Sequence, residues 1–471
     1  METYLRFDMV NFKNVVDLDS SKKDDTSSYL GLDYSLGFIS EFKDTNATLY
    51  LKLERNGPFD YDAPLFVHNT LMTSDGVTEP YRNDELLPQL EEFWLDFPLF
   101  SNFRFKCGLY TYEVGNGFSL NGSYENYGFT FYHPKENVTW RLYYCRPDLV
   151  YKNPLGPHLS QEEVHQIGYN HNAANFFAGD IKFDNQNGWF NSYIGVLVDY
   201  TSSNKRDNIF SAPIKREILG TAGLAWNINR ERLSFTFEAA HNFGKAETAS
   251  PEYEDIYHTG YLFFVDIDYN LDVITPSLQL LVCSGNKVTP QMAEQGLDRL
   301  ISGRNRAFSC YSPFNLNLGD SISAANVDSR PIVAMGTGYG INYGLPRPGT
   351  FSASDFDNLI MPSLSFNFKP TDRLCLSLCG YYLWCFERPV GTLNGQGKYF
   401  SRDLGYEVDL FIDYQLNPNI LVSFLGGSFF PGRYYKAQRD DNTGSLFSPF
   451  VRGDGKADSA YQIELAIEFK F

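Results

Sequence analysis

The sequence predicts an all-β chain of one domain, residues 1–471, folded as a transmembrane antiparallel β-barrel of about 18 strands. Three observations carry that prediction. In the last stretch, from Ala460 to Phe471, the apolar residues Tyr461, Ile463, Leu465, Ile467, Phe469 and Phe471 alternate with Gln462, Glu464, Ala466, Glu468 and Lys470. Period two sends successive side chains to opposite faces of a strand, and about ten residues is the length a tilted strand needs to cross a bilayer core. The six apolar residues are therefore assigned to lipid and the opposite face to water. One such strand would also suit a soluble sandwich, so the other two observations decide. Aromatics make up 16% of the chain, with 32 Tyr and 40 Phe, which suits girdles at both membrane interfaces. Short Asn/Asp/Pro/Gly turns alternate with long polar segments along most of the chain, in the manner of periplasmic turns and extracellular loops.

The elements follow in order. Leu5, Phe7 and Met9 alternate with Tyr4, Arg6 and Asp8 in the first strand. After polar residues 14–27, alternation resumes over 29–43 and, past Asp44-Thr45-Asn46, over 47–55. Strands 92–97 and 103–112 flank the link 98–102, strands 124–132 and 138–145 flank 133–137, and strands 175–183 and 189–201 flank 184–188. Strands 216–228 and 232–243 meet at Asn229-Arg230-Glu231, and 257–269 and 274–283 meet at Asn270-Leu271-Asp272-Val273. Strands 359–368 and 373–386 meet at Lys369-Pro370-Thr371-Asp372, and 404–416 and 421–430 at Asn417-Pro418-Asn419. The terminal strand makes an even number, within the range of bacterial outer-membrane barrels. The long segments 14–27, 56–83, 148–174, 204–215, 245–255, 286–357, 388–402 and 432–458 then all face outside.

The longest of these, 286–357, far exceeds an ordinary hairpin loop. Residues 290–301 read as a short helix with Met292, Leu297 and Leu300 on one side, and 336–340 are rich in glycine. A barrel this wide needs a constriction, so the loop is expected to fold inward and narrow the lumen.

Composition excludes several classes. No window approaches the eighteen or so consecutive apolar residues of a membrane helix, and a mean hydropathy of −0.32 fits strands that show lipid every second side chain. Net charge is −18, against nucleic-acid binding, which needs a basic footprint. Met1 directly precedes a strand-like run with no apolar leader, so the sequence reads as a mature chain whose export signal has been replaced by Met. The seven cysteines, Cys107, Cys145, Cys283, Cys310, Cys375, Cys379 and Cys385, have no CxxC spacing; free thiols are expected rather than a zinc site or disulfide framework. Cys375, Cys379 and Cys385 share a strand face, where positions along one strand are poorly placed to bridge.

Strand parity names the water-facing side chains. Those expected to line the pore are Arg6, Asp8, Asp96, Arg104, Lys106, Arg141, Asp266, Asp268, Glu407, Asp409, Asp413, Glu464 and Glu468, with Asp180, Asp199, Glu217 and Glu238 among others of the same parity. Rings of fixed charge in a low-dielectric wall set ion preference, and this acid-leaning set implies weak cation preference or passage of neutral solutes. The same charges would also rigidify the wall by pairing across strands.

Catalysis finds little support. Of seven histidines only His241 and His258 fall near strand ends, and spacing picks out no nucleophile or carboxylate partner for them. His158, His165 and His171 share a loop with Glu162 and Glu163, but the spacing matches no metal motif and reads as a solvated loop. Arg452-Gly453-Asp454 stands where an adhesin would want it, yet so common a tripeptide arises by chance. Asn46, Asn121 and Asn137 head N-x-S/T sequons for which a bacterial barrel has no use.

Several stretches resemble alginate-export outer-membrane porins. They are Glu91-Glu92-Phe93-Trp94-Leu95-Asp96 followed by Phe103-Arg104-Phe105-Lys106-Cys107-Gly108, then Gly115-Asn116-Gly117-Phe118. The opening Arg6-Phe7-Asp8 and the closing Leu404-Gly405-Tyr406-Glu407-Val408-Asp409-Leu410 through Phe429-Phe430-Pro431-Gly432 fit too. The resemblance implies an eighteen-stranded monomer. It departs at Gly108-Leu109-Tyr110, where that family commonly has Gly-Arg-Gln, and the acid-leaning lumen does not suit a polyanion.

The expected function is that of an outer-membrane porin, a non-enzymatic channel for small sugars, ions or similar hydrophilic solutes, with no cofactor and no metal. The alternatives are a polysaccharide exporter of the alginate-export type and a plugged structural or surface-interaction barrel. Expected partners are outer-membrane lipid, small solutes and the barrel-assembly machinery that reads the C-terminal strand; the barrel stands as monomer or homotrimer, in the bacterial outer membrane.

Overall fold

The structure, a computed structural model, describes residues 2–13, 26–55, 89–100, 102–110, 112–120, 126–146, 174–200, 214–294, 303–308, 331–334, 358–440 and 455–471. The strands in chain order begin with β1 (Glu2–Lys13), β2 (Thr26–Phe42), β3 (Ala47–Arg55), β4 (Gln89–Phe100), β5 (Phe103–Tyr110) and β6 (Asn126–Lys135). Next come β7 (Val138–Cys145), β8 (Ala174–Asn185), β9 (Gly188–Asp199), β10 (Ile214–Arg230), β11 (Leu233–Thr248), β12 (Ile256–His258), β13 (Tyr261–Tyr269) and β14 (Ile274–Cys283). A five-residue helix α1 (Pro290–Glu294) and β15 (Gly303–Asn305) precede β16 (Leu359–Thr371), β17 (Leu374–Cys385), β18 (Val390–Leu393) and β19 (Gln396–Tyr399). The chain ends with β20 (Asp403–Asn417), β21 (Ile420–Pro431) and β22 (Ala460–Lys470).

Leaving out the short β12, β15, β18 and β19, eighteen strands pair antiparallel with their sequence neighbours, and β1 pairs with β22 from Tyr4↔Lys470 to Lys13↔Tyr461. The sheet is closed, so none of its long strands presents a free edge. At the seam, Arg6 is 1% exposed and its guanidinium holds Asp8 at 2.5 Å and Glu464 at 2.6 Å. The closure thus carries a buried, doubly paired cation between the first and last strands.

Alternation decides the two faces. On β22, Ile463, Leu465 and Ile467 are exposed while Gln462, Glu464, Ala466 and Glu468 are buried. The exposed face elsewhere is similarly apolar, and on β4–β7 it carries a run of rings in which Phe103 stacks on Phe131 at 5.1 Å and meets Trp140 at 5.5 Å. Among the described residues no helix is long and apolar enough to cross a membrane.

The tight turns follow from their residues. Asn46, Glu231 and Asp272 adopt positive φ of 51°, 44° and 68°, and Asn and Asp accept this region more readily than most residues. Asn185, Asn270 and Asn417 each turn a side-chain oxygen to the amide two residues on, at 2.8 Å, the local bond that makes Asn a turn former.

The structure departs from the sequence expectation in detail. The stretch 257–269 is not one strand: it breaks before Tyr261, and β12 runs parallel to β15 from the longest loop. At Gly260 a Cβ would lie 2.3 Å from the Ala307 carbonyl oxygen, so the close approach of that loop accounts for the glycine at the break. Of the expected helix 290–301, α1 covers Pro290–Glu294 and the following residues to 302 lie outside the described ones. Six cysteines are free thiols and Cys310 lies outside the described residues.

Candidate functional site: the inner wall of the barrel

The inner face of β4–β8 carries bases set among acids and rings. Arg104 Nε donates to Asp96 at 2.9 Å and to the Tyr132 hydroxyl at 3.0 Å, and Tyr132 donates in turn to Asp96. The Lys106 ammonium lies 3.9 Å from the Trp94 ring centre and 4.3 Å from that of Tyr110, both within cation–π range. Arg141 takes Asp180 with two bonds, at 2.8 and 3.1 Å, the bidentate geometry that makes such pairs strong.

Residues 112–120, which follow β5, fold into the barrel across this wall. The Tyr112 hydroxyl donates to Asp180 at 2.9 Å and its ring stacks on Tyr143 at 4.2 Å. Burial first, and the Asp180 charge second, push that phenol well above its ordinary pKa, so it stays a donor. Gly115 N–H donates to the Asn191 side-chain oxygen at 2.8 Å. Glu238, 0% exposed, accepts from Asn116 N–H at 2.7 Å, Ser119 N–H at 3.1 Å, Ser119 Oγ at 2.8 Å and Tyr193 at 2.8 Å. Phe118 closes the segment against Phe264 of β13 at 4.2 Å. Gly115 sits at φ +63°, where a Cβ would come within 3.0 Å of Ala225, Glu238 and Tyr193. Backbone conformation and space together require glycine there.

A second segment, 331–334, meets the wall at β20. Ile332 N–H donates to Asp409 at 3.1 Å, and Val333 and Ala334 N–H donate to Glu407 at 2.6 and 2.8 Å. Successive amides form a concave donor set that suits acceptor oxygens, and here the fully buried side chains of Glu407 and Asp409 fill it. Ile332, Val333 and Ala334 also join an apolar cluster with Leu281, Met361, Tyr381, Phe411, Leu425 and Phe429. Other parts of the long segments interlock nearby: His258 contacts Glu217 at 2.9 Å and Asn305 at 3.2 Å, and Gly397 N–H donates to Glu294 at 2.9 Å.

The thirteen residues assigned to the pore by parity fall into distinct settings. Asp96, Arg104, Lys106 and Arg141 share the β4–β7 wall. Arg6, Asp8 and Glu464 close the seam, and Glu468 pairs with Lys470 at 3.0 Å. Asp266 and Asp268 are half-buried on β13, with Ser277 donating to Asp266 at 2.7 Å. Asp413 accepts from Ser423 at 2.7 Å, while Glu407 and Asp409 are covered by 331–334. Tyr461, Ile463, Leu465, Ile467 and Phe469 stand on the opposite face of β22, and Phe471 follows the strand, 73% exposed. The infolding of 112–120 escaped sequence reasoning, which continued the strand to Tyr112; the signal was Gly115-Asn116-Gly117, a turn-prone run between two strands.

Among the described residues no three His, Cys, Asp or Glu side chains gather as metal ligands. The loop holding His158, His165 and His171, and the Arg452-Gly453-Asp454 tripeptide, lie outside the described residues.

No family model matches the sequence, and no curated protein sequence matches it. Solved barrels do match in structure. A BenF-like porin from Pseudomonas fluorescens aligns with TM-score 0.53 at 10% identity, over 100% of this chain and 97% of its own. OpdQ of Pseudomonas aeruginosa aligns with TM-score 0.52 at 9% identity, over 100% and 97%. The outer membrane protein OprD of the same organism aligns with TM-score 0.51 at 11% identity, over 100% and 92%. These neighbours correct the alginate-export resemblance. The residues that carried it are strand residues of fixed parity, such as Glu92, Asp96, Glu407 and Asp409, and a turn-prone Gly115-Asn116-Gly117, a pattern any large barrel needs for physical reasons. The chain shares with these solved structures the fold of a closed antiparallel barrel, here of eighteen strands.

Proposed function

We propose that this protein is an outer-membrane porin, a passive channel for small hydrophilic solutes with no bond chemistry. The observation that carries the reading is a closed barrel with an apolar, aromatic outer face and an inner wall of ionised, hydrogen-bonding side chains. Lipid on one side and water on the other is the environment in which that division of faces is stable. The names of the structural neighbours, a BenF-like porin and the outer membrane protein OprD, agree with it.

In this reading, 112–120 and residues 331–334 of the loop 286–357, most of which lies outside the described residues, narrow the lumen, and solutes pass along the wall of Asp96, Arg104, Lys106 and Arg141. Arg104 pairs with Asp96 and Arg141 with Asp180, while Lys106 lies over the Trp94 and Tyr110 rings, so selectivity between small cations and anions should be weak. Internal packing favours one rival, a barrel plugged by its own segments, because the cluster around Ile332 fills part of the interior.

The test is single-channel recording of the refolded chain in a planar bilayer, with reversal potential under a salt gradient. Discrete open steps with a reversal potential near zero support the channel. A folded barrel that never conducts overturns it and leaves the plugged reading.

A further inference from the structure

The inner wall of β13–β16 differs from the basic wall of β4–β7. Two adjacent rows cross it in register, Asp266–Gln279–Ser363 and Asp268–Ser277–Ser365. They offer two carboxylates, three hydroxyls and a carboxamide, with no Lys or Arg in either row. Some of this capacity is used internally: Ser277 donates to Asp266 at 2.7 Å and Ser363 to Gln279 at 3.2 Å. Some is not. Ser365 is 3% exposed and its hydroxyl has no partner among the described residues, nor has one carboxylate oxygen of Asp268. A buried polar atom left unpaired is costly and calls for a water, ion or ligand.

The position matters as much as the chemistry. One side of the patch is bounded by Phe264, the inner neighbour of Asp266 on β13, which Phe118 of the first infolded segment covers. On the other side the same two rows continue through Tyr381 to Glu407 and through Cys379 to Asp409, the carboxylates that hold 331–334. The patch therefore borders both infolded segments; Asp266 and Asp268 are half-buried there and Ser277, Gln279, Ser363 and Ser365 are buried. Three strands about 4.8 Å apart and two inner positions about 7 Å apart give a surface of roughly 10 by 7 Å.

We propose that these two rows form a binding subsite for neutral polyhydroxylated solutes, sugars of monosaccharide size; this rests on the porin reading above. Paired carboxylates repel an anion. A small cation would satisfy them and leave the Ser365 hydroxyl and the carboxamide unused. A polyol uses the whole set, because each of its hydroxyls donates to Asp266 or Asp268 and accepts from Ser365 or Gln279.

The experiment titrates glucose into the conducting wild-type channel and reads the fall in ion current, with guanidinium chloride as the cationic comparison. Saturable block by glucose is expected, with its Kd raised roughly threefold to tenfold in each of Ser365→Ala and Asp268→Asn, as loss of one hydrogen bond predicts. Each variant is referred to its own open-channel current, so a change in pore size does not enter. Block by guanidinium but not glucose, abolished by Asp268→Asn and untouched by Ser365→Ala, overturns the proposal in favour of a cation site. A glucose Kd equal in wild type and both variants overturns it as well. A barrel that does not conduct defeats the porin reading first, whereas a conducting barrel without glucose block defeats only the subsite.

Discussion

Arg6 and Glu238 show how much one buried polar side chain does in this barrel. Arg6 is the cation between Asp8 and Glu464 at the β1–β22 seam. Removing one member of a buried ion pair leaves the others uncompensated in a low-dielectric site. Arg6→Ala is expected to cost about 3–5 kcal/mol, read as a lower urea midpoint for unfolding from detergent or vesicles. A midpoint equal to wild type would mean the seam does not depend on this charge. Glu238 gathers two backbone amides and two hydroxyls from β9 and residues 112–120. Glu238→Ala leaves these donors without their acceptor, at about 1–3 kcal/mol for each one that finds no water. We expect the segment to lift from the wall and single-channel conductance to rise, with larger current noise. Conductance unchanged in a folded variant would show that 112–120 does not narrow the pore. Parity placed Glu238 on the water side, but its four partners were not legible because they come from residues 45 to 122 positions away.

At the scale of the element, the clearest signals in the sequence were local. Period-two alternation located all eighteen barrel strands, and their tight turns stood where Asn, Asp and Pro clustered. The hairpin β18–β19 was absorbed into a long loop, although its turn is Asn394-Gly395, a strong short-range hairpin signal. Asn394 and Gly395 take φ of 55° and 73°, and their N–H groups donate to Asp440 at 2.9 and 2.8 Å. Those two bonds, Gly395 first, hold the Asp440 carboxyl below its ordinary range. A lowered native pKa means the stabilisation is fully present above the ordinary aspartate value of about 4 and is lost as pH falls through the lowered one. Protection of the Asn394 and Gly395 amides from hydrogen exchange, referred to the intrinsic rate at each pH, should fall on acidification through that window. In Asp440→Asn exchange should be fast at neutral pH, and equal protection in both forms would refute the tie.

For the whole molecule, the central question is what covers the exposed apolar face. Leu465 is 39% exposed on the outer side of β22. If lipid covers it, Leu465→Arg should destabilise the barrel by about 2–4 kcal/mol near the bilayer midplane and less near the interfaces, measured by unfolding from phospholipid vesicles. A difference within error of zero would place that face in water and remove the basis of the membrane reading. The apolar cluster inside the barrel has the opposite consequence, since Ile332, Val333 and Ala334 fill space that an open pore would leave to water.

The sequence by itself determined the closed, even-stranded barrel, the two faces of each strand and the side on which the connections are long. These depend on neighbours one or two residues apart, and a period of two is visible in a single chain. Only the tertiary structure decided which inward charges pair with each other, which are covered, and where the chain turns inward. Asp180 meets Arg141 through the register of two strands, and Glu407 meets Val333 across 74 positions. Such partners are chosen by the closure of the sheet and the path of long loops, which leave no periodic trace in the sequence.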